Sequence, residues 1–409
     1  MLPYIKINFD NGNLGAVAAN PDGVFGLLAS AAPVAGKFEI GVPYIVKNMK
    51  DVALLGIIPD VENYQLYKTL NEFYGETGEG RELWLMGMSK DTKPSDWFTV
   101  DAATGKTPAE TLLDAAKGRI SGIFTKFAPS GYTPTVTAGM DSDVLVAANL
   151  AQILAVNYTN SKYVPFFVLL EGYNFNGNVI ELEDLTARNY NRVAVMLGDT
   201  EIRTGTPSSL GSAIGILAGR LAKNQVHVNV GKVRDGALSN LYAYLLDTPA
   251  ENFDVETLHN KGFITFRVHV GKSGYFFTDD PTASDPTDDY HYLTNRRVID
   301  KAFRIVYVTM VNYLLSDITL APDGTIDPRF AKAVEGDLET SIANQMTAND
   351  ELSALEDDKN DKGVRCFVDP AQNVAATSRL NVSVKVRPHG YARWIEVLLG
   401  FDISQTEKN

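Results

Sequence analysis

Strands alternating with helical stretches over about 24–250, a change of rhythm after about 255, and strand-like segments at both chain ends predict an α/β region followed by an α+β domain with terminal strand arms. With 409 residues, two or three domains are expected. The divisions read as an arm over 1–20, an α/β region over 21–254 with room for a further division near 130–160, an α+β domain over 255–394 and a closing arm over 395–409.

Each element has a local reason. Tyr4–Asn8 alternates, with Ile5 and Ile7 on one side and Tyr4, Lys6 and Asn8 on the other, before the turn residues Asp10-Asn11-Gly12-Asn13. A five-residue terminal strand cannot bury itself and needs a sheet edge to join. Tyr44–Lys47 and Val52–Ile58 read as short strands. Val61–Tyr74 follows as a helix, with Val61, Tyr64, Leu66, Tyr67, Leu70 and Phe73 near helical spacing. Glu82–Met88, Ile120–Phe127, Val164–Glu171, Arg192–Leu197 and Val226–Val230 read as strands. Pro108–Lys117 reads as a helix with Thr107 as N-cap and Glu110 completing a capping box. Asp143–Tyr158, opened by Asp141 or Ser142, then Leu210–Lys223 and Leu238–Leu246 read as further helices.

Beyond 255, Gly262–Val270 alternates as a half-exposed strand, and 277–292 is a solvated loop rich in aspartate. Long helices are expected over Asn295–Leu315 and Pro328–Leu355, the second broken near Thr347–Asn349. Strands over Val364–Val368, Leu380–Val386 and Trp394–Phe401 close the chain.

Charge narrows the function classes. Lys plus Arg number 37 against 50 Asp plus Glu, a net charge of −13. Nucleic-acid phosphates and anionic membranes need a basic surface, so neither is an expected partner. No apolar run approaches the roughly 20 residues of a membrane span, and Ile305–Leu315 is interrupted by Thr309 and Asn312. The opening MLPYIKINFDNG lacks a signal-peptide layout, which predicts a cytoplasmic chain. Cys366 is the only cysteine, so an intrachain disulfide and a Cys-based zinc site are excluded.

The motifs of small-molecule chemistry are missing. Gly105-Lys106-Thr107 and Gly271-Lys272-Ser273 end like phosphate loops, but Val100 and Phe266 occupy the required first glycine position. Gly211, Gly215 and Gly219 recur every four residues, which suits one packed helix face against the sheet rather than a dinucleotide fingerprint. His227 and His269 fall in alternating strands and read as surface or satisfied core residues. His291 lies beside Asp288 and Asp289 in a loop that lacks the glycine and closing glutamate of a calcium loop. No catalytic residue, cofactor or metal is assigned.

Two features depart from an ordinary surface. Arg296, Arg297, Lys301 and Arg304 crowd the start of the long helix, where cations oppose the macrodipole at about 0.3–1 kcal/mol each. The pattern fits a solvated face, or an acidic partner surface that offsets the cost. Between Glu335 and Asp361, nine acids, including Glu335, Asp337 and Glu339, are interrupted by Lys359 alone. Basic and acidic patches on one subunit suit head-to-tail association, although solubility accounts for the acids equally well. The sequence-based expectation is that Arg296, Arg297, Lys301, Arg304, Glu335, Asp337 and Glu339 lie at a subunit or tube contact.

The C-terminal order then resembles a known family. Gly271, Gly274 and Tyr275 precede Tyr292-x-x-Asn295-Arg296-Arg297. Asp323-Gly324-Thr325-Ile326 follows, then Asp369-Pro370 with Asn373, the run Leu380–Pro388, and Ile395–Leu399. This resembles the C-terminal domain of contractile phage tail sheath proteins, related to those of R-type bacteriocins and contractile injection systems. Gly211–Leu238 resembles the sheath pattern of a helix followed by a strand and a Gly-containing turn, and Tyr67–Leu85 resembles a small sheath-like subfamily.

The resemblance implies a structural, non-enzymatic virion subunit, assembled in a bacterial cytoplasm as stacked hexameric rings around an inner tail tube. Its contraction would drive the tube through a target envelope. Copies of itself, the tube protein, and baseplate and terminator proteins are the implied partners, and no cofactor is needed. It also implies that terminal arms add strands to a neighbour's sheet, placed here at Tyr4, Ile5, Lys6, Ile7, Asn8 and at Trp394, Ile395, Val397, Leu399, Phe401. The competing readings are an α/β nucleotide-binding enzyme and another tail or baseplate component.

Overall fold

Val24–Ala31 contains a single polar residue, Ser30, and forms the strand β1 (Phe25–Ser30), buried along its whole length. Such a strand needs cover on both faces, which suits the interior of a parallel sheet. In the computed structural model, which describes residues 21–205, 209–358 and 360–400, β1 is an interior strand of a seven-stranded sheet. The others are β2 (Pro43–Val46), β3 (Leu83–Met88), β4 (Gly122–Lys126), β5 (Phe167–Glu171), β6 (Val193–Met196) and β7 (Phe263–Ile264). Their spatial order is β7-β6-β5-β4-β1-β3-β2, and every pair is parallel except β2 with β3. The fold is therefore α/β in this region, as expected. The expected strand Tyr4–Asn8 and residue Phe401 lie outside the described residues.

Helices α1 (Met49–Leu54), α2 (Tyr64–Thr77), α3 (Pro108–Ala115), α4 (Ser142–Lys162) and α5 (Ile214–Lys223) accompany the sheet. Register fixes which face each covers. Phe124 of β4 stacks on Phe73 of α2 at 5.8 Å between ring centroids. Its neighbour Ile123 pairs with Gly26, and a Cβ on Gly26 would lie 2.9 Å from Leu112 of α3. Successive strand residues point to opposite faces, so α2 and α3 cover opposite sides. The capping box at α3 forms as expected: Glu110 N–H donates to Thr107 Oγ1 at 3.0 Å, and Thr107 N–H donates to Glu110 Oε2 at 2.7 Å.

Several expected elements are replaced. Residues 52–58 are not a strand, because Asn48 Oδ1 accepts Asp51 N–H at 2.9 Å and starts α1 through that stretch. Val226–Val230 is turn and coil, with Asn229 bound by its side chain to Asp279 and Asp280. Leu238–Ala243 is bend and coil rather than helix, and Tyr244–Leu245 pairs with Thr248–Pro249. Gly262–Val270 splits into β7 and a two-residue pairing of Phe266–Arg267 with Phe276–Phe277. Phe263, Ile264, Thr265 and Phe266 are all buried, so its sequence alternation does not produce one exposed face.

The glycine ladder also has a different partner from the one expected. A Cβ on Gly215 would lie 2.3 Å from the Thr69 backbone oxygen, and one on Gly219 would lie 2.7 Å from that of Phe73. Both glycines thus let α5 touch the backbone of α2, a helix rather than the sheet. Gly211 precedes α5 and faces the Glu171 carboxylate.

The C-terminal part is α+β. Helices α6 (Leu293–Val311) and α7 (Pro328–Gln345) pack together, and α7 covers a hairpin of β8 (Val364–Phe367) and β9 (Ser383–Val386). Its core includes Ile326, Val334, Leu338, Cys366 and Val368. A 3-10 turn at Thr347–Asn349 follows α7 where the break was expected, but the helix expected to continue to Leu355 does not resume.

The cations at the start of α6 find partners within the chain, where the sequence-based expectation for Arg296, Arg297, Lys301 and Arg304 was a subunit or tube contact. Arg297 is 3% exposed and donates to the backbone oxygens of Leu221 at 2.8 Å and Asn224 at 2.9 Å. Those carbonyls end α5, so a cation placed against the dipole of α6 caps the negative end of another helix. Burial pushes Arg297 down to about 10, which leaves it charged at neutral pH. Arg304 donates to the oxygens of Gly118, Ile120 and Pro165 at 2.6, 2.7 and 2.6 Å, in the loops that enter β4 and β5. Arg296 reaches Asp300 at 2.7 Å, and Asp300 also holds Arg192 at 3.0 Å. Lys301 bridges Asp22 and Glu351, each at 2.6 Å. The start of α6 is itself capped by an acid from the aspartate-rich loop, since Thr294 N–H donates to Asp280 Oδ2 at 2.9 Å. Asp279 and Asp280 are buried, not solvated as the sequence suggested.

Two substitutions test this packing. Gly219→Ala should destabilise the chain by about 1–3 kcal/mol in urea unfolding, because the α2 backbone has to move. Gly336→Ala, whose Cβ meets open space in α7, should be neutral or stabilising. Arg297→Ala should cost at least about 3 kcal/mol in the unassembled chain, as each hydrogen bond to a charged group is worth roughly 1.5–3 kcal/mol. Unchanged stability would return Arg297 to a partner surface.

Candidate functional site

The carboxyl edge of a parallel sheet is where α/β folds place ligands, beside the point where strand order reverses. Here that point lies between β1 and β4, and the residues at this edge are charged. Lys126 at the end of β4 is 1% exposed; its Nζ lies 2.8 Å from Glu171 Oε1 and 2.9 Å from the Ser212 oxygen. Glu171 at the end of β5 also accepts Phe127 N–H at 2.6 Å and Ser212 N–H at 2.8 Å. Nearby, Lys68 bonds Asp199 and lies 3.3 Å from Glu72, which accepts the Thr200 hydroxyl at 2.7 Å. Burial works against the Lys68 charge, but the carboxylates of Asp199 and Glu72 hold its pKa above the usual lysine range. Burial raises Glu72 despite Lys68, and Asp199 is held low chiefly by Lys68 against its own burial.

This network is saturated from within. Its ammonium groups face carboxylates and backbone oxygens, and its carboxylates accept nearby N–H and O–H groups. The cavity beside Asp199, Ser209, Gly211 and Tyr244 holds about 20 Å³, room for about one water, whereas ligand pockets span roughly 300–1,000 Å³. Among the described residues, the edge that would carry chemistry is filled by a structural ion network.

The C-terminal hairpin has the opposite character. Arg387 N–H donates to the Gly363 oxygen at 2.8 Å, which sets the alternation of the β8–β9 ladder. Cys366 and Val368 therefore turn their N–H groups away from β9. Both are met by α7: Glu339 accepts Cys366 N–H at 3.0 Å and Glu335 accepts Val368 N–H at 2.9 Å. The outer edge of β8 is thus closed by two carboxylates, an unusual device for blocking strand addition. This is where the sequence-expected Glu335 and Glu339 go; the third, Asp337, accepts the Tyr313 hydroxyl. On β9, by the same alternation, the N–H groups of Val384 and Val386 point outward. Among the described residues no strand lies against that edge.

The segment after the hairpin is anchored and then released. His389 Nε2 donates to the Asp350 oxygen at 2.9 Å, the Tyr391 hydroxyl donates to the His227 oxygen, and Arg393 Nε donates to Asp279 Oδ2 at 2.7 Å. Arg393 also lies 3.4 Å over the Tyr292 ring. At Trp394 the contacts stop. Trp394 is 84% exposed, and Ile395, Val397, Leu398 and Leu399 are also exposed. The expected strand over Trp394–Phe401 is absent through residue 400, where the backbone is coil without a ladder partner among the described residues. A run of large apolar side chains left in water in this way marks an interaction segment.

Models described as the DUF2586 N-terminal and C-terminal domains match residues 2–281 and 289–406. No protein with a curated function matches the sequence. A chain of the anti-feeding prophage baseplate, six-fold symmetrised, is similar in structure with a TM-score of 0.59 and 16% identity, covering 98% of this chain and 99% of that one. A chain of the contracted sheath complex of the extracellular contractile injection system PVC gives 0.58 and 11%, covering 98% of each. The sheath tail protein of Listeria innocua gives 0.50 and 11%, covering 91% of this chain and 96% of that one. At these identities the likeness is one of fold. The chain belongs to the DUF2586 family, and its fold is that of contractile-tail sheath proteins.

Proposed function

We propose that this chain is a structural subunit of a contractile sheath, built to associate with copies of itself. One observation carries the reading: among the described residues, an apolar segment leaves an anchored root at Trp394 with no strand partner, and the C-terminal hairpin keeps one edge open. Strand addition satisfies both at once. The segment gains backbone hydrogen bonds and covers its side chains, and β9 gains a neighbour. The carboxylates of Glu335 and Glu339 direct the incoming strand to β9 and away from β8. The terminal stretch around Tyr4–Asn8 has the composition of a second such strand. Stacked hexameric rings around an inner tube, and contraction as a rigid-body rearrangement tied by these arms, belong to the same proposal. On this reading the chain has no catalytic role, and its further partners are tube, baseplate and terminator proteins.

A baseplate role is the second reading, favoured by the anti-feeding prophage likeness, which comes from a baseplate structure. Copy number in purified particles separates the two: many copies per particle for a sheath, a small fixed number for a baseplate component.

The full-length protein should form rings or tubes visible by negative-stain electron microscopy, and removal of residues 394–409 should abolish them. Val384→Pro should also abolish assembly while leaving the monomer folded, because it deletes an N–H that points to the open edge. Tubes formed by Val384→Pro would show that β9 is not the acceptor.

The acceptor hairpin also carries a pH dependence. The Arg387 guanidinium, with the N–H groups of Leu355 and Gly363, holds Asp361 down to about 2, below its usual 3.8. A depressed carboxylate contributes stability above its unfolded value, and that stability is lost as pH falls from about 4 through about 2. Hydrogen-exchange protection at 364–386, taken relative to the intrinsic rate at each pH, should fall over that interval, and Asp361→Asn should remove this part of the response.

A further inference from the structure

We propose that His227, Asp350 and His389 form a binding site for a divalent transition-metal ion of the zinc type, at the root of the C-terminal segment. The three residues come from separate parts of the chain. His227 lies in the coil after α5, Asp350 in the turn after α7, and His389 just beyond β9. Their candidate ligand atoms all lie within 4.8 Å of one another. The two imidazole rings are 5.0 Å apart between centroids, and an ion at His389 Nε2, 3.9 Å from Asp350 Oδ1, would replace the proton that this nitrogen donates to the Asp350 backbone oxygen.

The donor set selects the class of ion. Two imidazoles and one carboxylate suit zinc and its neighbours, whereas calcium and magnesium require oxygen ligands. Three protein ligands leave a fourth position for water.

The surroundings favour binding. His227 Nδ1 is buried and has no hydrogen-bond partner among the described residues. Gln225 Nε2 donates to the Asn349 oxygen at 3.1 Å, tying the loop of His227 to the turn of Asp350. The Tyr391 hydroxyl bonds the His227 oxygen and holds the segment of His389 against the same loop. Asp350, at φ 58° in a left-handed turn, has a side chain 90% exposed, free to swing inward and open to an arriving ion. Drawing the ligands from this spacing to tetrahedral distances takes a shift of about 1 Å, small for an exposed side chain at bond lengths of roughly 2.0–2.2 Å.

A metal here fastens three segments where the exposed arm departs. The site itself does not depend on the sheath reading, since its test uses the unassembled protein.

The full-length protein is titrated with Co²⁺, read by its visible d–d bands, and then with competing Zn²⁺. One ion per chain is expected, displaced by Zn²⁺, with hydrogen exchange at 388–393 slowed when Zn²⁺ is bound. His389→Ala and His227→Ala should each weaken Zn²⁺ binding by about tenfold or more. His269→Ala, remote from the cluster, should leave it unchanged. His389 lies in a peripheral segment, so its variant decides the matter even if His227→Ala does not fold. Absence of saturable binding by the wild type, or equal affinity in His389→Ala, overturns the proposal.

Discussion

Backbone groups have to be paired, and in this molecule one helix does much of that pairing. The guanidinium groups of Arg297 and Arg304 close the carbonyls at the end of α5 and in the loops entering β4 and β5. Buried carbonyls without such partners would be costly, each by about 1–3 kcal/mol. The α6 cations therefore bind the seven-stranded sheet to the two-helix unit that carries the hairpin. Asp280, itself buried, completes the arrangement by capping α6 from the aspartate-rich loop. Against this internal closure, the outward N–H row of β9 and the coil backbone beyond Arg393 stand out as backbone without a ladder partner among the described residues.

The same contrast bears on chemistry. A parallel sheet with a reversal of strand order normally offers a crevice at its carboxyl edge. Here Lys126, Glu171, Lys68 and Asp199 fill that edge and satisfy one another, so a frame shared with many enzymes carries an ion network instead. Such networks hold loops in one arrangement, although breaking one partner leaves an uncompensated charge. On the proposed reading, the interactions left incomplete among the described residues are those a second chain would complete.

Much of this was legible in the sequence where local chemistry decides the outcome. The capping box at Thr107 and Glu110, the strands at 83–88 and 122–126, and the helix from 142 follow from near neighbours alone. The strand β1 carried the signal of an unbroken apolar run from Val24 to Leu28, yet the sequence-based list of strands omitted it. The stretch 52–58 went the other way, because a single asparagine cap decided it. The destination of the α6 arginines was not legible at all. Their charge opposes their own helix, and the α5 terminus that accounts for it lies about 75 residues earlier in the chain. The His227–Asp350–His389 cluster is hidden for the same reason, since no local spacing links its members. Glu335 and Glu339 read as part of an acidic stretch because the edge N–H groups they accept belong to a later strand.

The most direct test asks whether the exposed segment of one copy lies along β9 of another. Protein carrying Lys385→Cys is mixed with protein carrying Val397→Cys and treated with a short bismaleimide. The native Cys366 does not compete, because it is buried and its thiol is pushed up to about 12. The account predicts a covalent heterodimer, abolished when 394–409 is removed from the copy that carries Lys385→Cys only if that copy's own segment is also required for assembly. No heterodimer under assembling conditions, together with an efficient link inside a single chain carrying both cysteines, would mean that the segment folds back onto its own body and would contradict the account.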